Sequence, residues 1–268
     1  MDFNSLSHRI SSQRHIEALR KTFQKTPAEK ILVVAHRGGP AMGTHENTMA
    51  AFEKAIACGA DMIETDVRRT RDGVLVCHHD SDINGTPLTE LSYFEANRMA
   101  ETNGYTIPYL KDLVSLAATR IKLDIELKNV GYELEIIDII RGLLEYSEFV
   151  MKSFHDSTVY AIKEIDPRIT TGLLVEKHPF SHRGLDTVAQ LSYEARLALT
   201  KADFLGAETN LVSATLVARM RLLKKKIYVW TANGESEIQR LIDLGVDALI
   251  TDEPDQALRL LGRSPFSR

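Results

Sequence analysis

Two histidines, an arginine and several carboxylates crowd into one short stretch of this sequence. His36-Arg37-Gly38-Gly39 follows the apolar run Ile31 to Ala35, Glu46-Asn47-Thr48 comes next, Glu64 and Asp66 sit in Ile63-Glu64-Thr65-Asp66-Val67, and Asp72-Gly73 leads to His79-Asp80. A pair of imidazoles suits a reaction in which one group takes a proton from a nucleophile and another protonates a departing alkoxide. A guanidinium fork suits an anionic phosphate whose charge builds in the transition state. These residue types together point to phosphodiester cleavage. A histidine at the end of a buried strand is more often a hydrogen-bonded structural residue; two of them, each beside a carboxylate motif, shift the balance toward catalysis by His36 and His79. His78 faces the other way by alternation and reads as packing or exposed.

The carboxylates ask for a cation. Side chains alternate along a strand, so Glu64 and Asp66 share one face while Ile63, Thr65 and Val67 share the other. Acids held together among apolar residues repel each other and lose hydration unless a positive charge joins them. The pattern recurs in Ile121-Lys122-Leu123-Asp124-Ile125-Glu126-Leu127-Lys128, where Asp124, Glu126 and Lys128 share a face. Carboxylates without a histidine or cysteine at matching spacing favour a hard, oxygen-seeking divalent cation, Mg2+ or Ca2+, over zinc. The bland alternative is strand-edge acids in salt bridges. Arg37 and Lys128 share that ambiguity, since each suits a phosphate oxygen and each suits a nearby acid. Magnitudes favour the cation: general acid and base catalysis supply together about 5–11 kcal/mol, enzymes lower barriers by about 8–23 kcal/mol, and a bound metal adds several more.

The elements that must position these residues read as alternating strands and helices. Parallel-strand candidates fall at 31–36, 61–66, 121–126, 148–153, 170–175, 202–207, 227–231 and 247–251, which predicts a single α/β domain, a (β/α)8 TIM barrel. The run 74–79 is expected as a hairpin return after the second strand, turned by Asp72-Gly73, bringing His79 to the mouth where Glu64 and Asp66 end. Such barrels place their sites at the C-terminal strand ends, where His36, Asp66 and Glu126 fall. Helices are expected at 47–58, 109–118, 131–145, 185–200, 213–224 and 235–244. Residues 7–23 also read as a helix, with Ile10, Ile16, Leu19 and Phe23 on one side, so residues 1–30 form a helical extension and 31–262 the barrel.

The run from His36 to Asp80 resembles the glycerophosphodiester phosphodiesterase family, in which an HRG strand end, an ENT helix start, an E-x-D strand and an HD strand end follow in that order. The likeness continues through Glu126-Leu127-Lys128, Ser153-Phe154, Val229 to Asn233 and Gly245-Val246-Asp247 to Thr251-Asp252-Glu253-Pro254, over roughly residues 31 to 262. It implies a metal-dependent hydrolase of a small-molecule glycerophosphodiester, with His36 and His79 as acid and base, Glu64, Asp66 and Glu126 as ligands, and Arg37 and Lys128 near phosphate. The sequence departs from the pattern at His45, where a proline is common, and at Lys224-Lys225-Lys226, where a histidine and glycine often precede the tryptophan strand. The stretch between His79 and Glu126 is short for a family that often inserts a cap there.

Substrate recognition beyond phosphate is read less sharply. Residues 176–184 join the fifth strand to a helix and carry His178, Phe180, His182 and Arg183. They form either a solvated loop or a contact, through Phe180 or Arg183, for the alcohol. Trp230 is either a core aromatic or a wall for the glycerol carbons. A related lysophospholipase D activity, or a barrel that only holds a phosphate ligand, are the rival readings.

Composition agrees with this outline. The 268 residues are 44% hydrophobic and 26% charged, with a net charge of −4 that offers no general attraction to nucleic acid or anionic lipid. The first twenty residues are polar, no apolar run approaches membrane-spanning length, and the expected location is the cytoplasm. Cys58 and Cys77 are too few for a disulfide framework and read as buried free thiols. The oligomeric state is left open by the sequence.

Overall fold

The computed structural model describes residues 26–177 and 191–266. Eight strands close into a parallel barrel: β1 (Leu32–Ala35), β2 (Met62–Arg69), β6 (Lys122–Leu127), β7 (Phe149–Ser153), β8 (Thr171–Val175), β9 (Phe204–Glu208), β10 (Lys226–Trp230) and β11 (Ala248–Thr251). Closure is made by β1 lying parallel to both β2 and β11, with Ala35 opposite Ile63 and Thr251. β3 (Leu75–Cys77) runs antiparallel beside β2, with Val67 opposite Cys77, and is the expected hairpin return.

Alternation decides what enters the barrel. Ile63, Val67, Leu123, Ile125 and Leu127 face outward into a core shared with the helices. Val34, Met62, Val150, Phe204, Tyr228, Ala248 and Ile250 pack against one another inside. Small residues make room there: a Cβ on Gly172 would lie 2.2 Å from the Phe204 ring, and one on Gly206 would lie 2.5 Å from Leu174 Cδ2. The same parity on β2, β6 and β7 turns Glu64, Asp66, Asp124, Glu126 and Lys152 inward above the apolar filling.

The helices α1 (Met49–Cys58), α3 (Leu110–Ala117), α4 (Glu133–Arg141), α6 (Tyr193–Thr200), α7 (Ala214–Leu222) and α8 (Glu235–Leu244) fall where periodicity expects them, several with shorter ends. The expected helix over 131–145 stops at Arg141, and only the part of 185–200 from 193 onward falls in described helix. Three helices were not expected: α2 (Tyr93–Thr102), α5 (Asp156–Ile165) and α9 (Pro254–Leu260). α2 carries a capping box, the Ser92 side chain accepting from Glu95 N while the Glu95 carboxylate accepts from Ser92 N. α9 has Pro254 in its first turn. The helix expected at 7–23 lies outside the described residues.

The stretch between His79 and Glu126 does more than its shortness suggests. β4 (Asp82–Ile83) and β5 (Thr86–Pro87) form a two-stranded hairpin beside α2. Val76, Ile83, Leu88, Leu91, Ala96, Ala100 and Ile107 bury one another as a separate small core. Among the described residues no helix is long and apolar enough to cross a membrane.

Candidate active site

The chain leaves β1 through a tight helical turn, His36–Gly38, in which Arg37 takes a positive φ of 52°. Gly38 is required by packing as well as conformation: its φ is +86°, and a Cβ there would stand 2.6 Å from Ala51 Cβ on α1. The turn thus presses against the start of α1. Thr48 caps that helix, accepting a hydrogen bond from Ala51 N at 3.2 Å. Asn47, just before the cap, reaches inward instead. Its amide donates to Asp66 Oδ2 at 2.9 Å, and its Oδ1 accepts from the Thr65 hydroxyl at 2.7 Å.

Glu64, Asp66 and Glu126 converge. Each is nearly inaccessible to solvent, and one oxygen from each lies within 4.8 Å of the others. Register explains the convergence, because β2 and β6 pair Glu64 with Asp124 and Asp66 with Glu126. Lys128 Nζ stands 2.9 Å from Asp66 Oδ1 and 2.6 Å from Glu126 Oε1, as an ion pair in which neither oxygen accepts a well-aligned hydrogen bond. Arg37 Nη1 bonds both oxygens of Glu46, at 2.9 and 3.0 Å, while its Nε lies 3.3 Å from Asp66 Oδ2. The backbone N–H of Arg37 donates to Glu64 Oε2 at 3.0 Å. Arg37 and Lys128 are therefore both engaged with acids. An all-oxygen, buried and mutually repelling donor set fits a hard divalent cation.

Both histidines carry a carboxylate on the same ring nitrogen. His36 Nδ1 lies 2.7 Å from Asp252 Oδ1, and His79 Nδ1 lies 2.8 Å from Asp80 Oδ1. The hairpin return places His79 as expected: the neighbouring His78 N donates to Asp66 O at 2.9 Å, and the carbonyl of His79 accepts from Arg68 Nε at 2.7 Å. Burial opposes ionisation of Asp66, yet Lys128, Arg37, His79 and His36 outweigh it and hold this carboxyl far below the usual range. His78 is buried, which pushes its pKa down, and its ring lies parallel to Tyr105 at 6.3 Å.

Residues 36–256 match the Glycerophosphoryl diester phosphodiesterase family. The chain belongs to this family. A glycerophosphodiester phosphodiesterase of Bacillus altitudinis is 29% identical over 248 residues, covering 85% of this chain and 97% of the relative. A glycerophosphodiester phosphodiesterase from Parabacteroides distasonis has the same fold, with a TM-score of 0.74 at 23% identity over 87% of this chain and 97% of that one. An Oleispira antarctica phosphodiesterase solved with sn-glycerol-3-phosphate, its product, superposes with a TM-score of 0.74 at 22% identity, over 88% of this chain and 99% of that one.

In this phosphodiesterase family member several site residues escaped sequence reasoning. Asp252 and Asp80 stand out in the sequence only as parts of motifs, although in a closed barrel an acid ending the last strand must come beside a histidine ending the first. Lys152 was missed altogether. It lies on the inward parity of β7, with Nζ 2.8 Å from Asp124 Oδ2 and 3.3 Å from Glu64 Oε1. Burial disfavours its charge, but Asp124, Glu64 and Glu126 more than compensate and raise its pKa. Asp124 is pushed up to about 6 by burial, against the pull of Lys152. Trp230 is held at the end of β10, its Nε1 donating to Gly206 O at 3.1 Å and its ring meeting Phe154 edge-on at 5.4 Å, and it is half-buried. Phe180, with the rest of 178–190, lies outside the described residues.

Proposed function

We propose that this enzyme hydrolyses glycerophosphodiesters to glycerol 3-phosphate and an alcohol, using His36 and His79 as the proton-transfer pair and a divalent cation, Mg2+ or Ca2+, held by Glu64, Asp66 and Glu126. The observation that carries the reading is the buried acid triad together with two Asp-paired imidazoles, both near enough to act on the Asp66 charge. When bound, the cation supplies positive charge against the phosphoryl oxygens and lowers the barrier to attack on phosphorus.

The chain's own residues do the rest. Arg37 and Lys128 hold the nonbridging oxygens and oppose the charge that builds on them. One imidazole Nε2 accepts the proton of the attacking oxygen as it bonds to phosphorus, whether that oxygen belongs to water or to the glycerol 2-hydroxyl, whose cyclic phosphate water then opens to glycerol 3-phosphate. The other gives a proton to the alcohol oxygen as the second P–O bond breaks. Asp252 and Asp80 hold a proton on Nδ1 of each ring, so that Nε2 is the working atom on both: bare on the imidazole that accepts a proton, and protonated on the imidazolium that donates one. Trp230 offers a rigid apolar wall for the glycerol carbons, and Phe180 a contact for the alcohol. A cytoplasmic setting belongs to the same reading.

The decisive experiment measures glycerol 3-phosphate released from glycerophosphocholine, glycerophosphoethanolamine and glycerophosphoinositol with magnesium, calcium or EDTA, beside the His36→Ala protein. Cation-dependent release that disappears in the variant supports the reading. Cleavage only of lysophospholipids, read as head-group alcohol and lysophosphatidate, would replace the substrate, and no cleavage of either class would leave a barrel that binds phosphate without cleaving it.

A further inference from the structure

The proposed reaction has no direct use for Lys152, and yet it is among the most deeply buried charged groups of the barrel, 2% exposed. Its ammonium contacts two acids of unequal standing. Asp124 Oδ2 is the nearer at 2.8 Å, and Glu64 Oε1 is 3.3 Å away. Glu64 is thereby gripped from two sides, since its other oxygen accepts the Arg37 N–H at 3.0 Å. Below it is a lysine rising from β7; above it is the turn that carries His36.

A buried Asp–Lys pair kept for its own sake contributes little, because well-packed apolar residues of similar volume generally do as well or better. The third member, Glu64, is what gives this charge a purpose. We propose that Lys152 is a positioning residue for the cation site: from inside the barrel it fixes the orientation of the Glu64 carboxylate, with Asp124 holding the ammonium in place. The inference rests on the cation reading above. Partners one shell behind a metal ligand fix its orientation and commonly change affinity by about 10–100-fold when removed.

Lys152→Met alone strands the Asp124 charge inside the barrel, so the test changes the pair together. The double variant Lys152→Met, Asp124→Leu removes both charges while keeping an apolar filling, and Asp124→Asn alone, whose amide oxygen still accepts from the ammonium, keeps the lysine on Glu64. Titration calorimetry with magnesium or manganese ions, on each protein shown by circular dichroism to be folded, reads the cation dissociation constant. The expected result is a dissociation constant about 10–100-fold weaker in the double variant, with Asp124→Asn close to wild type. The cation concentration for half-maximal activity then shifts by the same factor, while KM for the diester at saturating cation does not move. A double variant that binds the cation as wild type does, or an Asp124→Asn protein weakened equally, overturns the inference. A wild-type protein that binds no divalent cation overturns the cation reading and this inference with it.

Discussion

His36 Nδ1 meets Asp252 Oδ1 at 2.7 Å across 216 positions of chain. The contact exists because β1 and β11 are neighbours in the closed barrel, with Ala35 opposite Thr251. Asp252 is itself fixed: its other oxygen accepts from Asn233 Nδ2 at 2.6 Å, and its backbone N–H donates to Asn233 Oδ1 at 3.0 Å. Burial raises the Asp252 pKa somewhat, but the bond and charge of His36 hold it below the usual carboxylate value, so it orients the ring as an anion.

Replacing Asp252 by Asn therefore disturbs the imidazole without touching the acid triad. His36→Ala should lower kcat by about 10²–10⁴-fold, the usual worth of a general acid or base. Asp252→Asn should cost part of that while leaving cation affinity unchanged. Steady-state kinetics beside calorimetric cation binding checks both; a loss of cation binding in Asp252→Asn would contradict the assignment.

Arg37→Lys is not conservative here. A lysine cannot hold both oxygens of Glu46 while also offering Nε to Asp66. Losing a charged hydrogen bond to phosphate, worth about 1.5–3 kcal/mol, should lower kcat/KM by about 10–100-fold. If Arg37 serves only as a salt-bridge partner, the variant should lose thermal stability and keep its kcat/KM.

Acid should weaken the cation-free protein through Asp66. Its folded pKa lies below the ordinary 3.8 because Lys128, Arg37, His79 and His36 overcome the opposing effect of burial. A carboxyl depressed in the folded state stabilises fully above its unfolded pKa, and that stability drains away as pH falls toward the folded value. Urea unfolding in EDTA between pH 7 and pH 3 should show this loss, and Asp66→Asn should remove part of it. An unchanged acid limb in the variant would show that Asp66 does not carry the effect.

Packing inside the barrel yields a test independent of chemistry. The Gly172→Ala Cβ would lie 2.2 Å from the Phe204 ring, which itself stacks on Tyr228 at 4.2 Å. Overpacking of this kind costs about 1–3 kcal/mol. Adding Phe204→Leu should recover part of it in equilibrium denaturation, and full additivity of the two changes would refute the clash.

The legible part of this protein is the part encoded by strand parity and strand ends. Glu64, Asp66 and Glu126 declare themselves because an acid on the same face as another, between apolar neighbours, is costly without a cation. His79 could be placed because Asp72-Gly73 is a strong turn. α2 was missed although Ser92 and Glu95 spell a capping box, because its apolar residues serve a small core and give a weak stripe. α5 lay in a mixed run opened by Asp156. Lys152 stood within an expected strand, but its partners are on β2 and β6, and nothing local tells a buried lysine from an edge one. Asp252 required knowing which strands close the ring.

The hairpin β4–β5 and α2 stand on their own small core, joined to the barrel through β3, the end of β2 and the turn that follows it, and the segment that precedes α1. Tyr105 from this region stacks on His45 at 3.8 Å, one residue from the Glu46 that holds Arg37. Hydrogen exchange should therefore find two tiers of protection, with amides of 82–102 released before those of β2 and β6. A module with a core of its own is also one that can be exchanged: replacing it would alter what stands beside His45 and leave the carboxylates where the barrel put them.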